Sequence, residues 1–429
     1  MSNISLVLFR AAGLLVFFAT NLMALSVQVG NCKTLPTFST IQAAVDAVPA
    51  GSTVFVCPGT YPEQIMIAKN LTLRGVAPSS PNSGSGAVIK SPASGLVSNT
   101  TSLSSGNPLA AHVLVHDAVV TFTNLTIDSS GNGLGCTPVL IGLFYRNASG
   151  TISNSAFFDQ IAETSDGCDS GLSVFVQSGD GSRSIVKVLN NAVQNYQRNG
   201  ITGNEVGTDL TVKGNTVVGR GPTNGAANNG VQLAFGAVGN IERNTTTDDI
   251  WLPDVITDPG DAATGILIFA SSNIVVKNNT VSNTQFGIGV GTDGSRHANG
   301  NIITMNHISA TRLFDGIDLC GNRNTVVNNT IHGSDEAGIH LDSRCSDDAG
   351  ATGHGNTVIQ NRVNSACAGI LVGSSAAPNF IGPNTFFNVD KAIVNGDQCV
   401  PSPSSLAAHT RLAGSQNQEM RAQFHPARP

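Results

Sequence analysis

The 429-residue chain carries 12 % charged residues and 47 glycines, whereas an ordinary globular domain has about 25 % charge, so a protein built from helices with charged faces is excluded. A formal net charge of −6 excludes nucleic acid as a partner, because phosphate binding requires a basic surface. A chain this long ordinarily divides into two or three domains, but a repeat body can use the length as one.

Residues 1–26 read as a secretory signal peptide. Arg10 precedes an apolar stretch from Ala11 to Leu25, and Ala24-Leu25-Ser26 supplies the small residues of a cleavage site. The stretch is shorter than the about 20 residues a spanning helix needs, and Asn21 interrupts it, so no membrane span is expected once it is removed. A secreted, periplasmic or cell-surface protein follows, expected to be a monomer.

Residues 38–48 predict a short helix. Ser39 with Gln42 three residues on is a capping-box pattern, Phe38, Ile41, Val45 and Val48 form one apolar stripe, and Pro49 with Gly51 stops it. Beyond it no apolar run has helical spacing. The apolar residues alternate over three to five positions instead, as in Val54 and Val56, Ile65 and Ile67, Leu71 and Leu73, Ile339 and Leu341, or Ile370 and Val372, with Gly, Asn and Ser turns between.

One phrase returns along the chain. An Asn leads a β-branched or apolar residue two positions on, in Asn191-Ala192-Val193, Asn215-Thr216-Val217, Asn279-Thr280-Val281, Asn306-His307-Ile308, Asn329-Thr330-Ile331, Asn361-Arg362-Val363 and Asn384-Thr385-Phe386. An apolar pair follows each, among them Gly200-Ile201, Gly230-Val231, Gly287-Ile288, Gly316-Ile317, Gly338-Ile339 and Gly369-Ile370. The Asn recurs after 23 to 35 residues, a period that means a solenoid whose units bury their apolar sides by stacking. Three short strands fit each coil, giving an all-β body of 10–12 coils over residues 27–400, with strands about 4.8 Å apart. The Asn suits the corner because it tolerates left-handed backbone angles and can stack in a hydrogen-bonded ladder. The helix at 38–48 would plug the open end of the first coil. Residues 401–429 lose the repeat and read as a disordered tail.

Eight cysteines, Cys32, Cys57, Cys136, Cys168, Cys320, Cys345, Cys367 and Cys399, lie in the exported part. An even count there favours disulfides, and pairing of nearest neighbours would tie adjacent coils, with Cys345 about one coil from both Cys320 and Cys367.

Alignment of the Gly-Ile positions puts Gln232, Leu267, Gly289, Asp318, His340 and Leu371 at one step of one sheet, pointing outward because their neighbours point into the core. Asp318 and His340 would then sit on adjacent coils, and a carboxylate beside an imidazole suits general acid–base work. Asp342 and Arg344 follow on the same face; Asp293, Arg296 and His297 occupy a turn one coil earlier, and Asp315, Asp335 and Glu336 lie just before the strands. A second cluster, Asp248, Asp249, Asp254, Asp258 and Asp261, surrounds Trp251, the single tryptophan. Carboxylates on a loop suit Ca²⁺, and an exposed indole would be a platform for a sugar ring. The bland alternatives are a wet polar sheet face for the first cluster and a solvated acidic loop for the second.

The stacked short strands and the run Phe38-Ser39-Thr40-Ile41-Gln42-Ala43-Ala44-Val45-Asp46-Ala47-Val48-Pro49, followed by Cys57-Pro58-Gly59-Thr60-Tyr61, resemble the right-handed parallel β-helix, or pectin-lyase-like, proteins, over residues 35 to 400. That resemblance implies the right-handed coil and the amino-terminal cap, the latter shared with pectin methylesterases. The catalytic motifs of the group do not carry over. Asp347-Asp348 and Gly353-His354-Gly355 are similar to pieces of the polygalacturonase signature but share one loop, and Asp258-Pro259-Gly260-Asp261 lacks the His of the alginate epimerase motif. No Met or His cluster for copper exists that would resemble a nitrous oxide reductase maturation factor.

The expected function is binding of an extended polysaccharide along one outer sheet, with lyase or epimerase action on uronic acid units. Arg344 would pair with the sugar carboxylate, His340 would take the adjacent proton and Asp318 would orient His340, while Trp251, Asp293, Arg296, His297 and Asp315 would bind substrate. The opposing expectation is a non-catalytic scaffold, in which the face around His340 is flat and wet.

Overall fold

A computed structural model of the chain describes residues 23–77, 86–162, 168–222, 227–251, 261–292, 294, 296–343, 353–376, 378–399, 423–424 and 429. The signal-peptide reading falls, apart from its last residues, outside them.

Short strands of alternating apolar residues bury one face each and stack in register. The first wall is a 14-stranded parallel sheet that includes Ser26–Val29, Ser52–Val56, Val119–Thr123, Thr208–Lys213 and Thr325–Val327. A second wall runs through Ala192–Tyr196, Thr216–Val218, Thr245–Thr247, Thr280–Thr284, His307–Thr311 and Thr330–Ser334. A third runs through Leu172–Gln177, Asn199–Asn204, Asn229–Ala234, Thr264–Phe269, Phe286–Gly291, Ile317–Leu319 and Ala337–Leu341. The strands Arg362–Val372 and Thr385–Asn395 turn the corner without a break and join the second and third walls. This is the all-β, right-handed parallel β-helix that the repeat predicts. One apolar core runs its length, from Val27 to Ala376, and each Val or Ile rung fully withdrawn from water contributes on the order of 2 kcal/mol.

Side-chain burial distinguishes the walls. Strands of the first wall alternate, as in Ser52–Val56 with Val54 and Val56 buried and Phe55 half-exposed. Strands of the third wall from Leu172 to Gly291 are buried at every position. Its outer face therefore does not meet water as a plain sheet face would.

The corner asparagines form a hydrogen-bonded ladder. The backbone N–H of Asn191 donates to Oδ1 of Asn215, and the same bond repeats from Asn215 to Asn244, Asn244 to Asn279, Asn279 to Asn306, Asn306 to Asn329, Asn329 to Asn361 and Asn361 to Asn384, all at 2.9 Å. Each side-chain N–H₂ also donates to a carbonyl of the preceding coil, as Asn279 does to Ile241 at 2.9 Å. Asn244 belongs to this ladder although the sequence reading steps over it; Thr246 stands where other coils have Val or Ile. The left-handed angle falls on the residue before the ladder Asn, at Asn190, Arg243, Asn278, Met305, Asn328 and Gln360, with φ between 54° and 59°. A second ladder links Asn301, Asn324, Asn356 and Asn379.

The Gly of the Gly-Ile phrase is a matter of space. A Cβ on Gly316 would lie 2.5 Å from Ile331 Cγ2 and 2.7 Å from the Gly338 carbonyl, so only glycine lets consecutive rungs close at this corner.

The amino-terminal plug is the helix Ile41–Ala47, whose Ile41, Ala44 and Val45 are buried against the first coils. Its cap is Thr40, one residue later than expected: the Thr40 hydroxyl accepts from Ala43 N–H, and the Glu63 carboxylate accepts from Ile41 and Gln42 N–H at 2.8 and 2.9 Å. Three disulfides join nearest neighbours, Cys32–Cys57, Cys136–Cys168 and Cys367–Cys399. Cys320 is also disulfide-bonded, and Cys345 lies outside the described residues. Of the stretch 401–429, Gln423–Phe424 pairs with Asp261–Ala262, and the Pro429 carbonyl accepts from Ser105 Oγ at 2.9 Å.

Candidate functional site

The third wall sets the row that alternation predicts. Gln232 pairs with Leu267, Leu267 with Gly289, Gly289 with Asp318, Asp318 with His340, and His340 with Leu371. Ile317, Leu319, Ile339 and Leu341 point into the core, which turns Asp318 and His340 outward on neighbouring rungs. Both are nonetheless buried, at 5 % and 7 % exposure.

The residue that holds His340 is Asp315, in place of Asp318. Asp315 Oδ2 lies 3.2 Å from His340 Nδ1, and its Oδ1 accepts from Ala337 N–H at 2.9 Å. Asp315 is itself 1 % exposed, so it serves as the fixed partner that orients the ring and is too enclosed for the substrate-binding role that its sequence position suggests. Asp318 Oδ1 and His340 Nε2 are buried with no hydrogen-bond partner among the described residues. Half-buried Asp342 and Glu336 complete the group; Asp342 Oδ2 is 3.5 Å from Cys320 Sγ, and Glu336 Oε1 accepts from Cys399 N–H at 3.3 Å. Beside the cluster Phe286 stacks on Phe314, ring centroids 4.6 Å apart.

Crowded carboxylates around one imidazole favour protons. Burial raises Asp318 well above the usual carboxylate range; the imidazole of His340 opposes this, and Asp342, Asp315 and Glu336 reinforce it. Burial and Asp315 raise Glu336 to about 8. For His340 burial acts against the charged form, but Asp315, Asp318 and Asp342 together outweigh it and hold the ring well above its ordinary value. The carboxylates therefore favour the protonated ring, against the burial that opposes it.

Other expected participants are elsewhere. Trp251 is 8 % exposed and packed with Ala227 and Ala263, so it is part of the wall and offers no open platform to a sugar. Asp249 is fully buried and accepts from Tyr196 Oη at 2.5 Å; burial raises its carboxyl well above the usual range. Asp248 is half-buried and bonded to Asn283 Nδ2. Among the described residues, no group of three possible ligands includes either. Asp254 and Asp258 lie outside the described residues, and of Asp261 only the backbone is described. Arg296 and His297 are exposed on their turn, with the Arg296 side chain over Gly236. Asp293 and Arg344 lie outside the described residues. Glu336 belongs to the site although the residue pattern gave it no role; its position one rung beyond Asp315 was the available signal.

A family described as "right handed beta helix region" matches residues 223–386. That match covers less than half of the chain, and with the three stacked walls it shows a right-handed parallel β-helix. Solved structures of this fold include the A-module of the mannuronan C-5 epimerase AlgE6 of Azotobacter vinelandii, at 14 % identity, TM-score 0.53, covering 90 % of this chain and 94 % of that one. The AlgE4 A-module of the same organism matches at 14 % identity and TM-score 0.57, covering 84 % and 94 %. A GH136 lacto-N-biosidase from Eubacterium ramulus matches at 12 % identity and TM-score 0.56, covering 87 % of this chain and 68 % of that one. No curated protein sequence matches the chain. Identities this low carry the fold alone.

Proposed function

We propose that the protein is an exported carbohydrate-active enzyme that binds an extended polysaccharide along the outer face of the third wall and acts on it at Asp315, Asp318, Glu336, His340 and Asp342. One observation carries this reading: Asp318 and His340 stand side by side on adjacent rungs, outward yet almost wholly buried. A scaffold's outer face would be flat and wet there. Burying ionisable groups costs several kcal/mol unless something is gained from their proximity, and no fold requirement calls for an imidazole among carboxylates at this step. The similarity to epimerase modules and a lacto-N-biosidase supports a saccharide as the substrate class. Three disulfides support export, since they persist in oxidising compartments.

Lyase or epimerase chemistry removes a proton beside a uronate carboxylate, and the enzyme must first neutralise that carboxylate. Here Asp315 fixes the ring of His340, and half-buried Asp342 would exchange a proton with substrate. Arg344 keeps its proposed place as partner of a sugar carboxylate. Hydrolysis is the second reading, favoured by one observation: Asp318 and Asp342 form a close carboxylate pair, with an oxygen of each within 4.8 Å, and hydrolysis of a glycosidic bond needs two carboxyl groups.

The test is a screen of the purified mature protein against acidic and neutral polysaccharides, reading binding, ultraviolet absorbance of unsaturated products and new reducing ends. Absorbance abolished in His340→Ala supports the lyase, and reducing ends without absorbance support hydrolysis. Neither binding nor product from any polymer overturns the proposal in favour of the scaffold.

A further inference from the structure

We infer that the cluster on the third wall is a binding site for a divalent first-row transition ion, held by a ring nitrogen of His340 and the carboxylates of Asp315 and Asp318, with Asp342 beside them. One donor atom each of Asp315, Asp318 and His340 lies within 4.8 Å of the others, and the same holds for Asp318 and Asp342. All of the first three are buried, at 1 %, 5 % and 7 % exposure.

The cluster alone would be a group of acids, but it also contains two buried atoms with no hydrogen-bond partner among the described residues, Asp318 Oδ1 and His340 Nε2. A carboxylate oxygen and an imidazole nitrogen left unbonded in the interior are each costly, and both are metal donors. The hydrogen bond of Asp315 to His340 Nδ1 leaves Nε2 as the ring nitrogen available to an ion. Up to three carboxylates and one imidazole give a mixed oxygen and nitrogen donor set, which suits Zn²⁺ or Mn²⁺ and is less suited to Ca²⁺, whose ligands are six to eight oxygens. Cys320 Sγ lies near Asp342 but belongs to a disulfide, so it offers no thiolate.

The site shares its residues with the proposed polysaccharide site, and the inference rests on that reading only for what the ion would do, which is to draw in a sugar carboxylate or hydroxyl beside Asp342. Ion binding itself needs no substrate. The experiment is isothermal titration of the full mature chain, stripped with a chelator, with Zn²⁺, Mn²⁺ and Ca²⁺ separately, paired with thermal unfolding with and without each ion. The expected result is one equivalent of Zn²⁺ or Mn²⁺ with a rise in Tm, binding weakened at least tenfold in Asp318→Asn, and normal binding in Asp249→Asn, whose carboxylate is remote from the cluster in the row order. Circular dichroism of Asp318→Asn establishes that it is folded; if it is not, Asp342→Asn replaces it with the same expected loss. No uptake of Zn²⁺ or Mn²⁺ by folded wild type, uptake of Ca²⁺ alone, or uptake unchanged in the folded variants overturns the inference. Stoichiometric uptake without any polysaccharide binding would instead overturn the proposed function and leave the metal site standing, whereas polymer turnover by a protein that takes up neither Zn²⁺ nor Mn²⁺ would do the reverse.

Discussion

Two histidines on the third wall are buried to a similar degree and behave in opposite ways. His112, on the strand Pro108–His116, is 0 % exposed, and His340, on Ala337–Leu341, is 7 % exposed. Each leaves Nε2 without a hydrogen-bond partner among the described residues. Burial lowers the His112 pKa to about 4, against weak opposition from the Lys90 and Glu63 carbonyls and Asp128; its Nδ1 meets the Ser129 hydroxyl at 3.1 Å. The same burial is overcome at His340 by three carboxylates. Enclosure alone therefore does not define a candidate site on this wall. What defines it is the arrival of acids from successive rungs, Asp315 and Asp318 from one coil and Asp342 from the next.

The comparison can be broken most sharply at Asp318. Asp318→Asn keeps the size of the side chain and removes its charge, and is expected to lower turnover of the polysaccharide found in the screen by at least about 100-fold; His112→Gln should leave turnover within about twofold when assayed at pH 7. Equal losses in both would show that burial, not company, is what counts.

Next in size is the scaffold that sets the rungs. Asn279→Ala removes the acceptor of Asn244 N–H and the donor to the Ile241 carbonyl, leaving buried groups unpaired, and should cost about 2–4 kcal/mol in urea unfolding. A cost below about 0.5 kcal/mol would mean that the ladder follows the coil rather than holding it.

His112 itself gives a pH signature of known sign. Its pKa in the fold lies below its value in the unfolded chain, so the stabilisation is present above about pH 6.5 and is lost as pH falls towards 4, by up to about 3 kcal/mol. Thermal unfolding across pH 4–7 should show this slope, and His112→Gln should flatten it. The smallest effect belongs to Asp249, whose carboxyl burial pushes well above the usual carboxylate range, against the opposing hydrogen bond from Tyr196. A folded-state pKa above the unfolded one favours the fold at acid pH and loses that advantage as pH rises, so Asp249→Asn should match wild type near pH 4 and equal or exceed its Tm at pH 8. A variant less stable at pH 8 than at pH 4, relative to wild type, would show an ionised Asp249 with a partner.

Much of this was legible in the residues because one variable, position along a coil, governs both fold and site. Alternation around Ile317, Leu319, Ile339 and Leu341 was enough to place Asp318 beside His340, and the count of cysteines to pair neighbours. Asp315 was named as a substrate-binding residue, and its bond to His340 was missed because it precedes Gly316, where the chain bends between walls and alternation has no authority. Trp251 was misjudged for a related reason: acidic neighbours suggest water, but Ala227 and Ala263 leave a recess that the indole fills. The helix cap moved to Thr40 because Glu63, more than twenty residues away in sequence, supplies the carboxylate that a local pattern sought in Gln42.

The ladder also has a consequence for how such a protein can change. Its bonds span 23 residues between Asn306 and Asn329 and 35 between Asn244 and Asn279, yet their length is the same, so pitch is fixed by the corner and not by how much chain loops outside it. Turns can lengthen or be exchanged freely while the distance between 318 and 340 stays constant. New specificities could be acquired at the rim by insertion alone, over a centre that never has to be rebuilt.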